Sequence, residues 1–367
     1  MPTTLHGLAE RGQSPWLDHL SRSLVQTGDL GELVRDGVVG VTSNPTIFQG
    51  AIAEGDAYDD QLRDVLDAEP DPKEAFLVLA RDDIRAACDL LSDVFARGGP
   101  HRDGWVSLEV DPRFPDDTRA TVEEARRLHG LVDRMNLLVK IPGTEAGPPA
   151  IEEVVASGIP VNVTLLFSLR RHRVAAEAYV RGLRRLHDQG GDLHTVTSVA
   201  SFFVSRVDTE ADRRLDEIGG HDDLKGTLAI ANAKLAYLTY QELFTGPDWE
   251  ELAAAGASPQ RCLWASTSTK NPAYRDVRYV EELIGPGTVT TMPLKTVRAF
   301  LDHGQVADTL RRDVDDARRT MDRFAEAGVD YDDVTAVLER EGVAKFADSY
   351  RQLFDGIAEK RAHLVRS

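Results

Sequence analysis

The chain is poor in cysteine. Cys88 and Cys262 are its only two. Neither has a CxxC partner, and two thiols without well-placed histidines do not build a zinc cluster. They read as reduced thiols of an intracellular protein. Long apolar runs are missing as well. No stretch approaches the roughly 18 consecutive apolar residues that a membrane span requires. The first six residues lack the basic region and apolar run of a signal peptide. The expectation is a soluble, cytoplasmic protein. Positive charge is scarce: 43 Lys and Arg stand against 61 Asp and Glu, a formal net charge of -18. Nucleic-acid binding needs a basic face, so that class is disfavoured. The same charge repels a phosphorylated ligand at long range, so a phosphate site must be built from local donors. Lysine is the scarcer base, at 8 of the 43. No GxGxxG follows the first apolar run, which weighs against a dinucleotide-binding sheet.

What is present suggests one large fold. The 367 residues are 42% hydrophobic, enough for two average domains or one barrel. Eight short runs rich in Val, Ile, Leu and Thr recur: Pro15–Leu20, Val38–Pro45, Trp105–Asp111, Leu137–Gly143, Val161–Phe167, His194–Val204, Arg261–Ser266 and Gly287–Pro293. Several are apolar at nearly every position, as in strands buried on both faces. Segments with helical spacing lie between them. Thr118–Val132 has Asp116, Asp117 and Thr118 as cap candidates, Leu169–Leu186 has Ser168, and Gly226–Phe244 is a third. This alternation predicts an α/β fold, a single (β/α)8 TIM barrel over 1–367. The long gap between Pro45 and Trp105 holds at least two helices, including Lys73–Phe95 after Pro70 and Pro72, and reads as an insertion after strand two. From Val306 onward the chain reads as extra helices broken by Gly328 and Gly342.

A (β/α)8 barrel carries its site at the C-terminal ends of the strands. Polar residues gather there: Asp18, Asn44, Glu109, Lys140, Asn162, Thr164, Ser201, Arg206 and Ser266. Buried polar groups are costly unless paired, and folding alone gives no reason for a ring of them. Lys140 is the sharpest. It stands in Leu137-Leu138-Val139-Lys140-Ile141, in a chain that otherwise favours arginine. Arginine does not lose its proton at usable pH, whereas a desolvated lysine can. A neutral amine attacks a ketone to form a Schiff base. On position alone, Lys140 is either that nucleophile or a buried ion-pair partner of Glu109. Asp18 and Glu109 are candidates for acid–base work or for holding geometry. Thr164 is placed to orient a water or is an ordinary strand residue. Asn44 and Asn162 suit sugar hydroxyls, although Asn44-Pro45 also fits a turn. Arg206 suits a phosphate or a surface ion pair.

Three motifs then give a resemblance. Gly40-Val41-Thr42-Ser43-Asn44-Pro45, Val139-Lys140-Ile141-Pro142-Gly143-Thr144 and Asn162-Val163-Thr164-Leu165-Leu166-Phe167-Ser168 occur in the order found in transaldolases. The resemblance runs from Trp16 to about Leu364. It implies Lys140 as the Schiff-base lysine and Glu109 with Thr164 around a catalytic water. It implies Asp18 as the acid–base group, and Asn44, Asn162 and Ser201 around a dihydroxyacetone unit. Arg206 and Ser266 would meet the phosphate. It implies sugar-phosphate substrates, with no metal and no organic cofactor. The chain is expected to work as a monomer or homodimer. One position departs. Ser268 stands where the best-known branch has an arginine, and Lys270 is the candidate to replace its charge. The alternatives are a fructose 6-phosphate aldolase-like enzyme, in which a tyrosine often releases the product, or a non-catalytic barrel. Strand five ends in Phe167, which favours transfer over release.

Overall fold

The structure is a computed structural model that describes residues 2–53, 56–68, 71–98 and 103–364. Eight parallel strands close into a barrel in sequence order. They are β1 (Gln13–Asp18), β2 (Gly40–Thr42), β3 (Trp105–Glu109), β4 (Leu137–Pro142), β5 (Val161–Leu166), β6 (Ser198–Phe203), β7 (Arg261–Ala265) and β8 (Thr288–Met292). Closure runs through β1 and β8, with Gln13 opposite Thr288 and Leu17 opposite Met292. β2 to β8 are buried at every position, because side chains fill the barrel and helices cover its outer wall. Closure also removes every exposed strand edge.

Local signals set most helix starts. The Asp117 carboxylate accepts from Ala120 N at 2.9 Å and opens the helix Thr118–Val132. Ser168 Oγ accepts from Arg171 N at 3.1 Å and opens Leu169–Asp188. The third expected helix runs from Leu228 to Leu243. Among the described residues, the stretch after β2 holds four helices, Pro45–Ala53, Asp59–Ala68, Pro72–Leu90 and Ser92–Ala96. The expected single helix Lys73–Phe95 is therefore two, interrupted at Leu91. Its start is as read: Pro72 sits in the first turn and Asp71 caps Lys73 N at 2.8 Å. Pro70 lies outside the described residues.

Three sequence readings need correction. β2 is shorter than Val38–Pro45, because Asn44 already turns the chain into the next helix. Its Oδ1 accepts from Ile47 N at 3.0 Å. β6 does not begin at His194, since Leu193–Thr195 is a 3-10 turn opened by Asp192. Gly342 does not break the C-terminal segment. It lies inside one continuous helix, Tyr331–Leu364. A Cβ at Gly342 would meet Leu165 Cδ2 at 3.0 Å. The missing side chain thus lets this helix lie close over the end of β5. At that point the β5–β6 register shifts, and Leu165 adopts a φ of 61°. Gly328, with φ 90°, does end a helix, Val314–Glu326. Among the described residues no helix is long and apolar enough to cross a membrane.

Candidate active site

The barrel's register brings the central residues together. Glu109 on β3 is opposite Lys140 on β4, and Lys140 is opposite Asn162 on β5. Lys140 Nζ lies 3.0 Å from Glu109 Oε2 and donates to Ser43 O at 3.2 Å. The amine also sits 5.5 Å from the centroid of the Phe346 ring. Both members of the ion pair are buried, at 4% and 6% exposure. Burial pushes the Glu109 carboxyl above the usual carboxylate range. The positive charge of Lys140 opposes the rise, and the negative charge of Asp18 adds to it.

The neighbouring groups are held by one another. Asn162 donates from Nδ2 to Ser107 Oγ at 3.0 Å and accepts from Ser201 Oγ at 2.7 Å. This chain of bonds fixes the Asn162 amide across β3, β5 and β6. Thr42 Oγ1 donates to Asp18 Oδ1 at 2.8 Å and lies 2.8 Å from Thr291 Oγ1. The Asp18 carboxylate is thereby aimed by β2 and β8. Glu109 Oε1 and Thr164 Oγ1 are both buried and without a hydrogen-bond partner among the described residues. Such groups in a packed interior take a polar partner, an ordered water included.

A cavity of about 180 Å³ opens above this layer at the C-terminal ends of the strands. Of the sequence-chosen residues, Asp18, Asn44, Lys140, Thr164, Ser201, Arg206, Ser266 and Lys270 line it. Glu109 and Asn162 do not. They lie beneath its surface, against Lys140 and Ser201 respectively. With Asn44 Oδ1 occupied as a helix cap, Nδ2 is the group that side chain can offer to a ligand.

A buried lysine, paired with a carboxylate, thus stands at the C-terminal end of a closed barrel beside a cavity. The family model described as transaldolase/fructose-6-phosphate aldolase matches residues 15–357. A relative from Acidothermus cellulolyticus, named transaldolase, is 52% identical over 357 residues, 96% of this chain and 95% of its own. One from Frankia alni with the same name is 52% identical over 365 residues, 98% of each chain. Another from Thermobifida fusca is 50% identical over 367 residues, 99% of each. The chain belongs to the transaldolase/fructose-6-phosphate aldolase family.

Membership makes two further features of the cavity informative. The first is its aromatic wall. Phe167 was the residue expected to bear on transfer against release, but it does not line the cavity. It is buried and packs against Phe203, with ring centroids 5.0 Å apart. It follows the irregular end of β5, where the register shifts and Leu165 has a φ of 61°. Phe203 lines the cavity instead, together with Phe346. Among the described residues that line the cavity there is no tyrosine.

The second is the basic end. The Arg206 guanidinium stacks over Phe203, 5.1 Å from the ring centroid. Lys270 Nζ donates to Ser268 Oγ at 2.9 Å. Burial and the like charges of Arg206 and Lys345 hold the Lys270 ammonium below its ordinary range. Ser266 lies where β7 ends, with φ 57°, a conformation disfavoured for residues other than glycine. Its carbonyl accepts from Ser205 N at 3.0 Å and its Oγ lies 2.9 Å from Ser205 Oγ. Lys345 and Phe346 escaped the sequence reading altogether. Both come from the C-terminal helix, far in sequence from every strand. The signal that marked Lys140, a lysine in an arginine-rich chain, marks Lys345 too.

Proposed function

We propose that this chain transfers a dihydroxyacetone unit from a ketose phosphate, sedoheptulose 7-phosphate or fructose 6-phosphate, to an aldose phosphate. The acceptor is glyceraldehyde 3-phosphate or erythrose 4-phosphate, and the carrier is a Schiff base on Lys140. The observation that carries this reading is the buried Lys140–Glu109 pair beneath a cavity lined by Asp18. Lys140 first passes its ammonium proton to Glu109, and the neutral amine adds to the ketone carbon C2. The carbinolamine loses its hydroxyl as water to give an iminium. Glu109, acting through a water held between Oε1 and Thr164 Oγ1, supplies the proton for that loss. Asp18 takes the proton of the C4 hydroxyl as the C3–C4 bond breaks. The electron pair of that bond passes into the iminium, and the first aldose phosphate leaves. The enamine then attacks the second aldehyde, Asp18 returns its proton, and water releases the new ketose phosphate. The iminium is the electron sink, so the chemistry calls for no metal or organic cofactor. Asn44, Asn162 and Ser201 hold the three-carbon unit, and Arg206, Ser266 and Lys270 hold the phosphate.

Transfer requires that the enamine not be protonated before an acceptor arrives. Phe203 and Phe346 suit that need, because neither ring can donate a proton. We place the enzyme in the cytoplasm, in the pentose phosphate pathway, as a single domain over 1–367 that works as a monomer or homodimer. The test is transfer from fructose 6-phosphate to erythrose 4-phosphate. Formation of sedoheptulose 7-phosphate, lost in Lys140→Arg, is expected. Release of free dihydroxyacetone without transfer would favour the aldolase reading instead.

A further inference from the structure

We propose that Lys345, on the C-terminal helix, is a phosphate-binding residue, and that it forms with Arg206 and Lys270 a three-cation cradle for a phosphate dianion. This rests on the sugar-phosphate reading above and extends it to an element outside the barrel.

The first support is position. Lys345 lines the same cavity as Arg206 and Lys270. Its backbone is held there by contacts on the same helix. Phe346, the next residue, is 3% exposed and lies over the Lys140 amine. Ser349 Oγ lies 2.8 Å from Thr46 Oγ1, on the helix that Asn44 caps. Gly342 lets the helix rest close against Leu165. The helix is therefore fixed over the site on both sides of Lys345.

The second support is charge. Acids outnumber bases 61 to 43 in this chain, and arginines and lysines elsewhere are widely paired with carboxylates. At the cavity the pattern reverses. Among the described residues, neither Arg206, Lys270 nor Lys345 has a carboxylate within ion-pair distance. Three cations lie near enough for two of them to depress the ammonium of the third. Asp18 and Glu341 offset part of this charge from farther away, but gathering three cations with no carboxylate in direct contact costs free energy, and an anionic ligand repays that cost. A phosphate dianion carries about two charges at neutral pH, more than Arg206 alone balances. Ser268, in place of an arginine, adds a hydroxyl but no charge. Lys270 and Lys345 together make up the deficit, one from the β7 loop and one from the C-terminal helix.

The test is calorimetric titration of inorganic phosphate into the full-length wild type, Lys345→Ala and Lys345→Arg, alongside acceptor kinetics. Loss of one charge-assisted contact is expected to weaken phosphate binding by about tenfold in Lys345→Ala, with Lys345→Arg near wild type. In the kinetics, kcat/KM for glyceraldehyde 3-phosphate should fall by a similar factor in Lys345→Ala. For unphosphorylated glyceraldehyde it should stay within about twofold. A purely structural role predicts equal losses for both acceptors and no rescue by arginine. Unchanged phosphate affinity in Lys345→Ala, or equal losses for the two acceptors, overturns the cradle. Phosphate binding that depends on Lys345 in a protein without transfer activity would uphold the cradle and overturn the catalytic reading.

Discussion

At the scale of single residues, the proposed mechanism separates the groups that do chemistry from those that aim them. In it Glu109 is the acid–base group, and burial raises its carboxyl above the ordinary value. Its task alternates between giving and taking a proton, and an elevated value suits a group that must do both near neutrality. The acid limb of the kcat profile should therefore lie above 4.5, the ordinary value for a glutamate. Glu109→Gln should lower kcat by about 10² to 10⁴ and abolish that limb, which a pH–rate profile of both proteins reads directly. Phe203 makes a second prediction. Phe203→Tyr puts a phenol at the cavity wall and should raise the release of free dihydroxyacetone measured without an acceptor. No change in that release would mean that the wall does not control protonation. Lys140, Asp18 and Glu109 were legible because a charged side chain in a buried strand is costly and so conspicuous. Phe203 was not, since a phenylalanine on a strand is ordinary, and choosing between Phe167 and Phe203 needed the fold.

At the scale of elements, most strands and helices were legible from apolar runs and caps. Failures came where one residue serves two masters. Asn44 is both the end of a strand and a helix cap, and so β2 is short. Gly342 has the composition of a helix breaker and the role of a close contact. Two predictions belong here. In the helix Leu169–Asp188, a Cβ on Gly182 would lie 2.7 Å from Val155 Cβ and 2.8 Å from Glu152 O. Gly182→Ala gains about 1 kcal/mol of helix propensity, but it forces this helix away from Gly147–Ala156. A net loss of about 1–2 kcal/mol is expected by chemical denaturation.

The other concerns Asp208. Its carboxylate accepts from Ala229 N at 2.7 Å, at the start of Leu228–Leu243, and from the Tyr279 hydroxyl at 2.8 Å. Burial pushes it up to about 6, against these two hydrogen bonds. The folded chain thus holds this proton more tightly than the unfolded one. The stabilisation is full below about pH 4 and is lost as pH rises towards about 6. The gap from 3.8 is worth about 3 kcal/mol. Asp208→Asn should remove that contribution, so that the wild type loses stability relative to the variant across this range. Parallel denaturation curves of the two proteins at every pH would contradict it.

At the scale of the whole molecule, a strongly acidic chain builds one small basic corner. The barrel supplies the amine, the acids and the hydrogen-bonding ring. The C-terminal helix closes the cavity from outside with Phe346 and Lys345. The barrel was legible because its strand–helix unit repeats a local pattern. The closing helix was not, since the scarcity of lysine marks Lys345 and Lys360 alike and no strand pattern says which turn meets the site. The central claim, that Lys140 carries the substrate, is tested most directly by borohydride reduction in the presence of fructose 6-phosphate, followed by peptide mass mapping. A single reduced three-carbon or six-carbon adduct on Lys140 is expected. An adduct on any other lysine, or none in protein that still catalyses transfer, would contradict it.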